Sequence, residues 1–360
     1  MSSEILWSPQ SNIVENSALS KFSKELGFDN NSYEKLHSWS INNKENFWRA
    51  VWDFTRVIGD PGSKSFVPNL KSPMTGAQFF PAAKLNLAEN LLEGDDNFIA
   101  VIETDEIGNR REFSRRTLKE KVAKTVNGLK KIGVQSGDRV AAILPNRIEA
   151  LVSLLASASI GAIWTSCSPD FGTKGIIDRI GQTTPKVLFT TSIYRYNNKE
   201  HDFSLRISEI VASLDGLDSV IIVDDKNINI SNKSYNYTLF NEFGINSNLE
   251  FIRLPFSHPS YILYTSGTTG APKAIVHSIG GTILQHFKEH KLHNDLKPKD
   301  KIMWYTNIAW MMYHWVVSSL GCNATLVLYD GVPIIKRNDH LDGSLLWKVA
   351  EQEKLTHMGV

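Results

Sequence analysis

The chain has 360 residues, enough for two ordinary domains or for one large α/β body with an extension. Lysine and arginine number 39 against 38 aspartates and glutamates, so the net charge is +1 and the basic excess of a nucleic-acid binder or a membrane-surface protein is excluded. Hydrophobic residues at 42% and charged residues at 21% describe a chain that buries a core, not a disordered one.

The first residues, MSSEILWSPQ, lack the basic patch and apolar run of a secretory leader. The two cysteines, Cys167 and Cys322, are far apart in apolar stretches and form no disulfide framework, which predicts buried thiols in a reducing cytoplasm. Residues 1–95 read as a helical N-terminal extension dense in aromatics. Phe47, Trp48, Val51, Trp52 and Phe54 fall mostly on one helical stripe, which predicts packing against a larger body. Gly59 to Pro81 reads as a long irregular connection.

From residue 96 to 360 the pattern becomes alternating strands and helices. Strands are predicted at Phe98–Ile102, Arg139–Leu144, Ala162–Cys167, Val187–Thr191, Val220–Asp224, Tyr261–Thr265, Lys301–Thr306 and Ala324–Tyr329. Leu118, Val122, Val126, Leu129 and Ile132 mark one helical face. Asn146 with Glu149 reads as a capping box opening a helix that ends near Gly161. The uncharged stretch Ala150–Pro169 holds five serines, a threonine and a glycine, so it reads as a buried helix passing into a strand and not as a membrane span. The Asn-rich segment Asp224–Tyr237 reads as a solvated loop. This alternation predicts the α/β class: a doubly wound, mostly parallel sheet with helices on both faces and ligands at the carboxyl ends of the strands.

The segment Tyr261-Ile-Leu-Tyr-Thr-Ser-Gly-Thr-Thr-Gly-Ala-Pro-Lys273 runs from an apolar strand into a hydroxyl- and glycine-rich bend, and a second apolar strand follows its lysine. Small residues let backbone approach a ligand, and successive amide N–H groups can form an anion-binding concavity. Thr265, Ser266, Thr268 and Thr269 add hydroxyls and Lys273 a positive charge, a set suited to a polyphosphate. The ordinary P-loop is excluded: the spacing is Gly267-x-x-Gly270-x-x-Lys273, and Ala274 follows where Ser or Thr is required. No G-x-G-x-x-G follows a strand. His277 and His314 have no metal-ligand partners at sensible spacing, so no metal site is predicted.

The run Tyr264-Thr-Ser-Gly-Thr-Thr-Gly-Ala-Pro-Lys273 resembles the phosphate-binding core motif of the adenylate-forming superfamily, with Ala274 where Gly commonly follows the lysine. Pro272-Lys-Ala-Ile-Val-His277 narrows the likeness toward acetoacetyl-CoA synthetases. So do Ile5–Pro9, Tyr33–Trp39, Phe47–Phe54, Gly137–Ala141, Leu144–Asn146, Ser166–Gly172, Asp178-Arg179, Trp310–Met312 and Ala324–Gly331. The resemblance covers essentially the whole chain.

It implies an acid–thiol ligase that joins acetoacetate to ATP as an acyl-adenylate, releases pyrophosphate, and lets CoA displace AMP, with Mg²⁺ accompanying the ATP. Thr265, Ser266, Gly267, Thr268, Thr269 and Gly270 would wrap the phosphates, and Lys273 would neutralise their charge. Trp310, Met311 and Met312 would close the acyl pocket around a short acid. Ala309 precedes them where many relatives have Gly. Ser166, Cys167 and Ser168 would lie where the CoA nucleotide passes. The family's later motifs and small C-terminal domain are absent, which predicts a truncated chain unable to complete ligation alone, with a second polypeptide as a possible source of the rest. Two other readings stay open: a ligase for acetate, propionate or another short acid, and a non-catalytic nucleotide- or partner-binding chain.

Overall fold

Apolar strand segments alternating with amphipathic helices build two sheets in the computed structural model, which describes residues 6–29, 33–223, 236–265, 270–337 and 340–360. The strands of these sheets are β1 (Ile99–Asp105), β2 (Arg110–Ser114), β3 (Arg139–Ile143), β4 (Ile163–Cys167), β5 (Val187–Thr190) and β6 (Ser219–Ile222). They continue as β7 (Asn236–Leu239), β8 (Pro259–Thr265), β9 (Lys273–Ser278), β10 (Lys301–Trp304), β11 (Thr325–Asp330) and β12 (His357–Gly359).

A seven-stranded sheet has the order β7-β6-β5-β3-β4-β8-β9, and a five-stranded sheet has the order β12-β10-β11-β1-β2. Every pairing in them is parallel except β8 with β9 and β1 with β2. Central strands such as β3 and β5 are apolar and buried on both faces, as a helix-covered parallel sheet requires. The fold is α/β, as the alternation predicts.

The helices that place the site are α1 (Lys44–Thr55), α2 (Arg115–Lys131), α3 (Ile148–Ser159), α4 (Thr173–Ile180), α5 (Ile279–Lys288) and α6 (Met311–Val317). Leu118, Val122, Val126 and Leu129 form the buried face of α2, and the chain leaves the helix through Gly133 at φ +79°, a left-handed conformation that glycine adopts without strain. Of α3, all but Glu149 is buried. Ser153, Ser157 and Ser159 are tolerated there because each hydroxyl donates to the carbonyl four residues back, at 2.7–2.8 Å. In the N-terminal part, the α1 stripe packs on the body: Trp52 lies 4.8 Å from Phe80, which stacks on Phe256 at 5.3 Å.

Two expectations are corrected. No capping box opens α3: its N-cap is Arg147, without a side-chain bond. The Ile148 N–H instead donates to Glu103 Oε2 at 2.8 Å, so a carboxylate from β1 answers the helix terminus, and Asn146 is free for another task. Residues 224–235 lie outside the described residues, but Asn236 and Tyr237 open strand β7 and are not loop. They pair in register with Ser219 and Val220. Among the described residues no helix is long and apolar enough to cross a membrane.

Candidate active site

The carboxyl ends of β3, β4 and β8 meet those of β10 and β11 across a crevice, the position where open α/β sheets bind ligands. Two side chains tie its walls together. Asn146, just after β3, donates from Nδ2 to Thr306 O at 3.3 Å and to Tyr329 O at 3.2 Å. Ser166, inside β4, donates to Ile308 O at 2.5 Å and accepts from Trp164 Nε1 at 3.2 Å. The 305–310 loop is thereby fixed against the seven-stranded sheet.

Two cavities open on this crevice. One, of about 560 Å³, is lined by Asn146, Ser168, Tyr196, Tyr305, Trp310, Asp330 and others. The second, of about 600 Å³, is lined by Arg179, Thr265, Ile275, His277, Trp310 and Met311 among others. Trp310 stands between them, 60% exposed, and so is a wall and not core filling. Met311 is 46% exposed, whereas Met312 is half-buried against the main core and lines the first cavity.

Thr265 and Lys273 end the β8–β9 ladder as register partners, and both are exposed. Ser266, Gly267, Thr268 and Thr269 lie outside the described residues. Gly270 is exposed, and nothing lies within 4 Å of where a Cβ would sit. One strand position earlier, the Tyr264 hydroxyl bonds Thr165 at 2.8 Å, and burial pushes its phenol up to about 12. The structure therefore brings Thr265, Trp310 and Met311 to one cavity, with Lys273 opposite Thr265 on the neighbouring strand.

The other expected residues divide. The Ser166 and Cys167 side chains are fully buried, and burial pushes the Cys167 thiol up to about 12. Ser168 lines the first cavity. His277 and His314 stack on opposite sides of the same ring, Tyr261, at 4.7 Å and 4.0 Å. Among the described residues no group of three or more His, Cys, Asp or Glu is placed to hold a metal ion.

Sequence reasoning missed three residues. Asn146 is 5% exposed and clamps the two sheets. Glu106, also 5% exposed, accepts the Asn197 and Asn198 N–H groups at 3.1 and 2.6 Å and that of Val332 at 3.0 Å. It thus joins the hairpin Ile193–Tyr196/Lys199–Asp202 to the loop after β11. Gly331 has to be glycine there, since a Cβ would sit 2.5 Å from that of Glu106. Asp330, which lines the first cavity, is pushed up to about 7. Desolvation is the main cause, Glu103, Asp105 and Glu106 add to it, and Arg147 opposes. Its place at the carboxyl end of a parallel strand was the available signal.

The AMP-binding enzyme family matches residues 90–360. The acetoacetyl-coenzyme A synthetase of Rhizobium meliloti (strain 1021) is 40% identical over 362 residues, covering 98% of this chain and 54% of that protein. The malonamoyl-CoA synthetase of Penicillium aethiopicum is 38% identical over 349 residues, covering 92% of this chain and 48% of that protein. The solved structure of acetoacetyl-CoA synthetase from Streptomyces lividans superposes with a TM-score of 0.89 at 34% identity, covering 99% of this chain and 55% of that one. The chain spans about half the length of the curated relatives it matches. With the crevice and both of its cavities lying inside the matched span, this chain belongs to the AMP-binding enzyme family.

Proposed function

We propose that this chain carries the ATP- and acid-binding part of an acid–thiol ligase that converts acetoacetate, CoA and ATP to acetoacetyl-CoA, AMP and pyrophosphate. In the first step a carboxylate oxygen attacks the α-phosphorus and pyrophosphate leaves. In the second the CoA sulfur attacks the acyl carbon, and AMP leaves with the bonding pair. The observation that carries the reading is the Thr265–Lys273 pair, which sets a hydroxyl and a cation at the carboxyl end of β8 beside the Trp310 cavity.

The roles follow from this placement. Residues 265–270 would wrap the phosphates, and Lys273 would neutralise charge that grows on the departing pyrophosphate. Trp310, Met311 and Met312 would confine a short acid. Of the three residues expected near CoA, Ser168 is the one whose side chain lines a cavity, Ser166 being committed to Ile308. Mg²⁺ belongs to the proposal only as an ion brought by the ATP phosphates, whose charge it offsets. The described residues offer it no cage of their own, and no step is derived through it.

The acids named by the two relatives support a narrow substrate class, because acetoacetate and malonamate both carry a neutral carbonyl on carbon 3. The division into an extension up to residue 95 and a nucleotide-binding body is part of the same proposal. So are a cytoplasmic setting, in keeping with the two free buried cysteines, and a second polypeptide as a partner to seek by co-purification.

Calorimetry with ATP–Mg²⁺ tests the reading. Saturable binding by the 360-residue chain, weakened about tenfold or more in Lys273→Ala, is the expected result. No binding by the unaltered chain sinks the proposal.

A further inference from the structure

Beside the Trp310 cavity lies another of about 460 Å³, lined by Tyr261, Ser278, Thr282, His286, Glu289, Trp315 and others. The two share His277 and Met311 and so adjoin one another. The Trp310 cavity holds Thr265, Arg179 and His277 among largely apolar walls that include Leu263, Ile275, Trp310 and Met311. The adjoining one adds two buried polar side chains. Thr282 and His286 are each only 6% exposed, yet the His286 Nδ1 has no hydrogen-bond partner and the Thr282 hydroxyl makes only a long bond, 3.4 Å, to the Tyr261 hydroxyl.

We propose that the acid site is two-chambered and that the adjoining chamber, lined by Thr282 and His286, receives the carbonyl oxygen on carbon 3 of a short 3-oxo acid. This rests on the ligase reading above and deepens it by naming what selects the acid. Buried polar groups with poor partners are costly, and a substrate oxygen that completes the bonding of the Thr282 hydroxyl is rewarded over a methylene that leaves it bare. Burial pushes His286 down to about 3, with His290 and His277 adding to the effect. The ring is therefore neutral and keeps one N–H donor for a neutral oxygen.

The surrounding walls are rigid. Tyr261 is held between two imidazoles, with His314 4.0 Å away and 9° from parallel on one side and His277 at 4.7 Å on the other. Glu289 is anchored by Gln285 Nε2 and Trp315 Nε1, both at 2.6 Å. Its carboxylate repels a second carboxylate at the far end of the substrate, so dicarboxylates are disfavoured while a ketone or an amide is accepted.

The test titrates the full chain with acetoacetate, butyrate and malonate by calorimetry, comparing it with Thr282→Val and His286→Leu and recording melting midpoints and ATP affinity on the same samples. Acetoacetate should bind about tenfold more tightly than butyrate, with malonate weakest, and each substitution should erase most of that ratio. Thr282→Val keeps the side-chain volume and decides the matter alone if His286→Leu does not fold. An unchanged ratio in a folded variant overturns the inference, as does an unaltered chain with no preference. If ATP binding persists in those cases the ligase reading survives, whereas loss of ATP binding in the unaltered chain strikes that reading instead.

Discussion

Thr265 and Lys273 face each other as the last register partners of the antiparallel β8–β9 ladder. The pairing explains why the motif differs from a P-loop. There the lysine opens a helix beneath the phosphates, whereas here it opens an edge strand whose partner supplies a hydroxyl from across the ladder. On the proposed reading the lysine would meet the phosphates as a flexible point charge, its backbone set by strand pairing and not by a helix terminus.

The crevice depends on Ser166 holding the 305–310 loop, and removing that hydroxyl orphans the buried Ile308 carbonyl. Ser166→Ala should lower the unfolding free energy by about 1–3 kcal/mol in urea titrations. It should also weaken acid binding, because Trp310 hangs from the same loop. Unchanged stability would show that the bond contributes nothing.

Glu106 makes a prediction at the level of single amides. In Glu106→Ala the N–H groups of Asn197, Asn198 and Val332 lose their common acceptor. Hydrogen exchange at those three amides should accelerate at least tenfold while the β3 amides keep their protection. Equal acceleration throughout would mean global destabilisation and no local clamp.

Asp330 gives a pH dependence with a definite sign. Its folded value of about 7 lies above the unfolded 3.8. Below about pH 4 both states are protonated and the carboxyl is harmless. As pH rises from about 4 to about 7 the unfolded state loses its proton first, stability falls, and above about 7 the loss is complete. Asp330→Asn should therefore be more stable than the unaltered chain at pH 8, by on the order of 1–3 kcal/mol, and the gap should close by about pH 4. A gap that does not change with pH would contradict this.

Much of this was legible from sequence because it is local. The 261–278 segment announces itself through two apolar strands flanking a hydroxyl-rich bend, and α3 through an uncharged run whose serines, threonine and glycine suit a buried helix passing into a strand and not a membrane span. What could not be read depends on partners far along the chain. Asn146 has the look of a helix cap until β11 and the 305–310 loop arrive to accept its amide, and Glu103 takes over the cap from β1. Strand β7 was hidden because its first residue continues an Asn-rich stretch, while its pairing needs only a free edge on β6. Ser166 and Ser168 look alike in sequence, but Ser166 lies inside β4 and is tied to Ile308, whereas Ser168 lies past the end of the strand and lines the cavity.

The central claim is that ATP's phosphates lie against the Thr265–Lys273 end of the ladder, and ³¹P NMR of ATP–Mg²⁺ titrated with the chain tests it most directly. The β- and γ-phosphate resonances should shift or broaden with the unaltered chain and stay near their free positions with Lys273→Ala of equal thermal stability. Identical perturbation by both proteins would contradict the account.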